Sequence, residues 1–475
     1  MKALSYSNKI VLYVEYENYV DKENYKLYLN GRYIARFSNA HYVIDNLEYD
    51  KEYLVEIKQE DKITFSSTVK TGKKKNVIKV DVDNRGIDIV TSQIQDFINH
   101  AGKDDVIYFS GGIYLTGALF FKTNQEVYLD EGCIILGSSN PNDYLPKINS
   151  RFEGISNLSY ASLINVGEYD KTGHINTSNF IIHGKGKIFG GGMRLYDSII
   201  QESKKDDSNS NPIRYRGRLI QISNTENVII DGIKMGFSPS WNLHLIYSKN
   251  IYIHSNRFES FKIQNGDGVV IDSCENTYIF NNVFTTGDEC IALKSGKNPE
   301  GNLINIPTKN IHIFDNNAIK GHGLSIGSEL SGGVSDVYIY NSKFLNTVYG
   351  LHIKTTKKRG GYAKNIHVKH CSFSSINIRH VPFNDDGEGS GELTKFTNFH
   401  FQNIDISGIK YLTNIKTERC KYIDVQGFEE DESSFNNFTF KNIKLLNYSK
   451  DNKGYEIVNA LNTKLEDVIL QEENK

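Results

Sequence analysis

Four short polar segments interrupt apolar stretches in the middle of this 475-residue chain: Asn265-Gly266-Asp267-Gly268, Gly287-Asp288-Glu289-Cys290, Gly321-His322-Gly323 and His352-Ile353-Lys354. Together they supply three carboxyl groups, two imidazoles and an ammonium. Carboxyl groups crowded together repel one another's charge, so one holds a proton near neutral pH while its neighbours stay ionised. Such a set can protonate a leaving group and activate water.

Asp or Asn beside Gly is also ordinary turn chemistry, and a lone Asn-Gly-Asp-Gly would be read that way. Recurrence argues otherwise. The intervals from Asp267 to Asp288, on to His322 and on to His352 are 21, 34 and 30 residues. Each is close to one coil of a stacked repeat, and residues one coil apart lie about 4.8 Å apart. The spacing predicts a single column of carboxylates, imidazole and ammonium on one face, with His322 hydrogen-bonding the acid.

The elements that would carry this column repeat along the chain. An Asn or Asp followed by three β-branched or aromatic residues recurs from Asn179-Phe180-Ile181-Ile182 through Asn250-Ile251-Tyr252-Ile253 and Asn310-Ile311-His312-Ile313 to Asn437-Phe438-Thr439-Phe440. The period is mostly in the twenties to thirties, with one short strand per anchor and almost no helix. Such spacing predicts a solenoid of stacked coils, best fitted by a right-handed parallel β-helix. Residues 91–100 form the clear amphipathic helix and are expected to cap its N-terminal end. His367 and His370, three apart on a strand, point to opposite faces and share no metal.

Residues 10–71 read differently, as closely spaced alternating strands with Asn30-Gly31 as a hairpin turn. A small β-sandwich over residues 1–74, followed by the β-helix over 75–475, is the expected organisation of an all-β protein. The stretch Leu47–Tyr53 resembles the turn before a late strand of fibronectin type III domains, where a tyrosine hydroxyl ties back to nearby backbone.

A net charge of −2 offers no global attraction to nucleic acid or to an anionic membrane, so an acidic ligand needs a local basic patch. Lys294, Lys297, Lys354, Lys357, Lys358 and Arg359 supply one. The five cysteines lack any CxxC spacing, which indicates neither a zinc site nor a disulfide framework. The first residues lack the apolar core of a secretory signal, so the expected location is cytoplasmic, or outside the cell if a native signal precedes Met1. Trp241 is either a sugar-stacking platform or a packing residue.

The four polar segments resemble the signature of glycoside hydrolase family 28, the polygalacturonase family, whose pattern reads roughly NTDG, DD, GHG and RIK. Arg218-Leu219-Ile220-Gln221, Ser238–His244, Gly117-Ala118-Leu119 and the stretch from Asn179 to Gly192 extend the likeness over about residues 76–470. The resemblance implies inverting hydrolysis of α-linked galacturonides, with Asp288 as general acid, Asp267 and Glu289 activating water, and neither metal nor other cofactor. It implies His322 beside the acid and Asn265, His352 and Lys354 as substrate-binding residues. Two positions depart from the pattern. Glu289 replaces the second Asp, as in the rhamnogalacturonan hydrolases of the family, and His352 replaces an Arg that would clamp a carboxylate in bidentate fashion. The Gln264-Asn265-Gly266-Asp267 form and the N-terminal sandwich resemble bacterial exo-acting members. The expected partner is therefore an acidic oligo- or polysaccharide, galacturonan or rhamnogalacturonan fragments. The alternatives are a rhamnogalacturonan hydrolase of the same family and a noncatalytic carbohydrate-binding β-helix.

Overall fold

The computed structural model describes residues 1–205, 211–412, 416–448 and 454–472. Its dominant feature is a solenoid of parallel strands, with a 21-stranded sheet forming most of the wall and an 11-stranded sheet forming the face that concerns function. That face runs through Ile220–Ser223, Leu243–Ile246, Val269–Asp272, Ile291–Lys294, Leu324–Ile326, Leu351–Thr355 and Ile376–His380, each in parallel register with the next. Alternate residues such as Leu243, Leu245, Val269, Ile271, Ile291 and Leu293 point inward. They join one continuous apolar core reaching from Val80 to Leu445. The architecture is the expected right-handed parallel β-helix.

The recurring Asn anchors do a specific job. Asn179, Asn227, Asn250, Asn276 and Asn310 all adopt left-handed backbone, with φ between 54° and 59°, a conformation that Asn tolerates better than other side chains. Each amide donates to the one in the coil before it, at 2.7 Å for Asn310 to Asn276 and 3.2 Å for Asn276 to Asn250. A second run links Asn437 to Asn398, Asn398 to Asn365 and Asn365 to Asp336. The helix Thr91–His100 buries Ile94 and Ile98 against the first coils, as a cap requires.

The N-terminal part folds as two antiparallel sheets, one of Lys2–Tyr6, Lys9–Tyr13 and His41–Ile44, the other of Tyr25–Leu29, Arg32–Phe37, Glu52–Gln59 and Lys62–Lys70. Asn30 and Gly31 both have positive φ, the geometry of a tight hairpin turn, and the Tyr53 hydroxyl accepts the Glu48 N–H at 3.0 Å. This sandwich packs onto the solenoid through an aromatic cluster in which Tyr6, Tyr13 and Tyr19 meet Tyr278, Phe280, Phe314 and Tyr340. All five cysteines are buried, and none forms a disulfide among the described residues. Among the described residues no helix is long and apolar enough to cross a membrane.

Candidate active site

The 11-stranded face carries a cleft of about 520 Å³ lined by Asn265, Asp267, Asp288, Glu289, His322, His352 and Lys354, every site residue read from the sequence. The chain turns just before each strand, where Cys290 and Ile291 both enter the core, and this turn aims the preceding acids into the cleft. Glycine makes the close stacking feasible. At Gly321 (φ 138°) a Cβ would lie 2.2 Å from Thr286 Oγ1, and at Gly323 (φ 103°) it would lie 2.3 Å from the Gly350 carbonyl. His322 is thereby pressed against the coil of Asp288, and its N–H donates to the Asp288 carbonyl at 2.9 Å.

The register corrects the expected column. Val269, Ile291, Leu324 and Leu351 pair in sequence, so one column is Asp267, Glu289, His322 and Tyr349, with coil steps of 22, 33 and 27 residues. Asp288 stands one residue before this column. His352 lies opposite Ser325, in a neighbouring column. Residue counts misplace the column because the turns between strands differ in length, one of them holding the short helix Glu300–Ile304, while strand pairing alone fixes the stacking.

Three carboxyl groups experience three environments. Asp267 is 1% exposed and neither of its oxygens has a hydrogen-bond partner among the described residues. Burial, then Asp288 and Glu289, push it well above the usual carboxyl range. Asp288, with a side chain 21% exposed, is pushed up to about 6 by burial and by Glu289, while His322 opposes the rise. Burial would raise Glu289 too, but Lys354, with Nζ 2.6 Å from Oε1, leads the groups that hold it well below the usual range. His322 Nδ1 lies 2.8 Å from Asp288 Oδ1; burial would lower the imidazole, yet the contact with Asp288 carries it above its ordinary value. The cluster thus sets two carboxyl groups pushed toward the protonated form, Asp267 and Asp288, beside a carboxylate at Glu289 that Lys354 keeps ionised.

The remaining sequence-derived residues divide. The Asn265 side-chain carbonyl accepts from Arg216 at 2.7 Å, which fixes its amide at the cleft rim. His352 is buried, both ring nitrogens lack hydrogen-bond partners among the described residues, and its ring leans on Tyr349 at 4.4 Å. Burial, then Lys354, hold it well below its ordinary value, so it is a neutral wall. Trp241 lines the cleft but is 1% exposed, stacked on Phe152 at 4.7 Å with the Lys294 ammonium 4.5 Å above its ring; it is a packing residue. The basic patch, the exposed Lys358 apart, is spent within the protein. Lys357 pairs with Glu430, Lys297 pairs with Asp386, and Arg359 is buried against Asn298 and Ser328. Lys294 pairs with Glu329 at 3.4 Å. His367 stacks between Tyr338 and His400 with Tyr16 at 6.0 Å, and His370 meets Tyr19 and Asp21, so both rings face the N-terminal sandwich rather than opposite sides; the left-handed backbone of His370 (φ 53°) breaks the strand alternation that predicted otherwise.

Sequence reasoning missed Glu153, Arg214, Glu329, Phe383 and Asp386, which also line the cleft. Arg214 bridges Glu153 at 3.0 Å and Asp386 at 3.3 Å, tying together turns distant in the chain. Only Glu329 had a readable signal, since it lies just past the strand after His322 as Lys294 ends the strand after Glu289. Among the described residues, Asp288, Glu289 and His322 are the group able to hold a metal, with ligand atoms within 4.8 Å of one another. Asp288 and Glu289 there already have internal partners in His322 and Lys354. No residue of the N-terminal sandwich lines the cleft.

Comparison with known proteins agrees with this arrangement. The family model described as glycosyl hydrolases family 28 matches residues 146–465. An exo-poly-alpha-D-galacturonosidase of Dickeya chrysanthemi is 24% identical over 78% of this chain and 67% of its own length. A probable polygalacturonase of Vitis vinifera is 29% identical over 60% of this chain, an alignment that takes in 58% of the grapevine protein. Among solved structures, the family 28 exopolygalacturonase of Yersinia enterocolitica superposes with a TM-score of 0.83 at 18% identity, covering 99% of this chain and 97% of that one, so the likeness of fold includes the N-terminal sandwich. With the four polar segments gathered in one cleft and more than half the chain matched, the protein belongs to glycosyl hydrolases family 28.

Proposed function

We propose that this protein hydrolyses α-galacturonosidic bonds of pectic oligo- or polysaccharides with inversion, releasing galacturonate from chain ends. The observation that carries this reading is the split among the three carboxyl groups, Asp288 pushed up to about 6 and Glu289 held far down by Lys354. Pairs of acids whose environments drive them apart divide acid from base roles. Asp288, the most exposed of the three, donates its proton to the glycosidic oxygen. Glu289 takes a proton from the attacking water, and Asp267, with both oxygens uncommitted, holds that water. Chain-end action is supported by the turns tied by Arg214, Glu153 and Asp386 beside the cleft, and by the exo-acting names of relatives. The two-part organisation, residues 1–74 and 75–475, is supported by the strands Lys62–Lys70 and Asn76–Lys79 joining different sheets.

A second reading, cleavage in rhamnogalacturonan fragments, is favoured by His352, which brings no charge to the cleft. Incubation with galacturonate oligomers and with rhamnogalacturonan fragments separates the two. Galacturonate monomer from trigalacturonate at the earliest time points supports the first reading, and release from rhamnogalacturonan fragments alone refutes it. Asp288→Asn should lower kcat by about 10²–10⁴-fold; full activity in that variant would remove Asp288 from the chemistry.

A further inference from the structure

The cleft accounts for only one side of the reacting bond. It carries six carboxyl groups, Glu153, Asp267, Asp288, Glu289, Glu329 and Asp386, and its cations Arg214, Lys294 and Lys354 are each ion-paired with one of them. Beyond His322 lies a second hollow of about 290 Å³, and His322 is the one residue lining both. Its walls are Phe261, Ile319, Val348, Tyr411 and Leu412, with Thr286 and Gly287 at the foot of the Asp288 turn. Among the described residues no acidic one lines it.

One cation does. The Lys320 ammonium lies 4.9 Å from the Phe261 ring centroid and makes no ion pair among the described residues. Asp288 stands between the two hollows, joined to the second by Thr286, whose hydroxyl donates to its carbonyl at 2.8 Å. An acid that protonates a glycosidic oxygen has the leaving group on its own side, away from the water-activating pair. The leaving sugar must therefore extend past Asp288 and His322, toward this hollow.

We infer that the hollow formed by Phe261, Lys320 and Tyr411 binds the leaving-group side of the substrate, and that it takes a uronate. Lys320 pairs with the carboxylate, and the aromatic rings cover the apolar face of the sugar. Lys320 then brings to the leaving side the charge that neutral His352 does not. This assignment rests on the proposed hydrolysis but is testable apart from it.

The experiment compares Lys320→Met and Lys320→Arg with the unaltered protein on trigalacturonate and on an aryl α-galacturonide, whose leaving group has no carboxylate. In K320M the ratio of kcat/KM for trigalacturonate to that for the aryl galacturonide falls about tenfold, chiefly through KM, and K320R restores most of it. An unchanged ratio in K320M, with or without a loss common to both substrates, overturns the assignment. Binding supplies a readout independent of catalysis. In an Asp288→Asn background, calorimetry should show K320M weakening trigalacturonate about tenfold more than galacturonate monomer, and equal affinities with and without K320M also overturn it. Failure of the hydrolase reading registers elsewhere, as no release of galacturonate from trigalacturonate by the unaltered protein.

Discussion

Lys354→Met tests the division of labour among the acids most directly. Lys354 Nζ lies 2.6 Å from Glu289 Oε1, and the two side chains are only 13% and 11% exposed. At that distance, with an effective dielectric constant of about 20, the gross attraction is about 6 kcal/mol. Breaking a buried pair by removing one partner usually costs about 3–5 kcal/mol. Asp288, His322 and Lys294 still favour ionised Glu289, so the lower end applies. At 1.36 kcal/mol per pH unit, about 3 kcal/mol raises Glu289 by about 2 units. A carboxylate base whose pKa rises is lost at a higher pH, so the acid limb of the rate profile moves up toward the limb set by Asp288 near 6. The active window narrows and its maximum falls. The assay is kcat/KM on trigalacturonate between about pH 4 and 8, which reports the free enzyme. Dividing the variant's profile by that of the unaltered protein cancels titration of the substrate's own carboxylates. Lys354→Arg should keep the limb in place. If K354M raises KM and leaves the acid limb unmoved, Lys354 touches substrate without tuning Glu289, and the reasoning fails.

His322→Gln should lower kcat and move the alkaline limb upward, because the imidazole holds down a carboxyl that burial and Glu289 raise; a downward move of that limb in the pH–rate profile would contradict this sign. Phe280→Ala removes a fully buried ring stacked between His254 and Phe314 where the sandwich meets the solenoid, and should cost about 3–5 kcal/mol in urea unfolding. Since no sandwich residue lines the cleft, kcat of the folded variant should stay within about twofold.

The sequence carried the repeat because each coil needs the same local solution, an Asn in left-handed backbone followed by inward apolar residues. It carried the cleft residues because the polar segments break that repeat on one face. Their stacking was less legible. Asp267 pairs with Glu289 rather than Asp288, since strand hydrogen bonds set the register and the turns absorb any number of residues. The cleft walls were not legible at all. Glu153, Arg214 and Asp386 arrive on separate turns with no shared period, and their meeting is visible only in three dimensions. The basic cluster after Lys354 shows the limit of charge counting, because Lys357, Arg359 and Lys297 had partners that sequence proximity does not reveal.

The asparagine ladder has a direction. Each amide gives a hydrogen to the coil before it and receives one from the coil after. Asp336 can receive from Asn365 but has no amide hydrogen to pass to Asn310, so the rail is cut between those two coils. The coil of Asn310 leads into the strand after His322, and the coil of Asp336 leads into the strand bearing Lys354. The cut thus falls inside the catalytic set, and the Lys354–Glu289 ion pair spans it like a splint across a joint. The strands Thr308–Phe314 and Val334–Tyr340 stay paired across that gap and Asn341 still donates to Asp315, so the ion pair adds to these links on the cleft face.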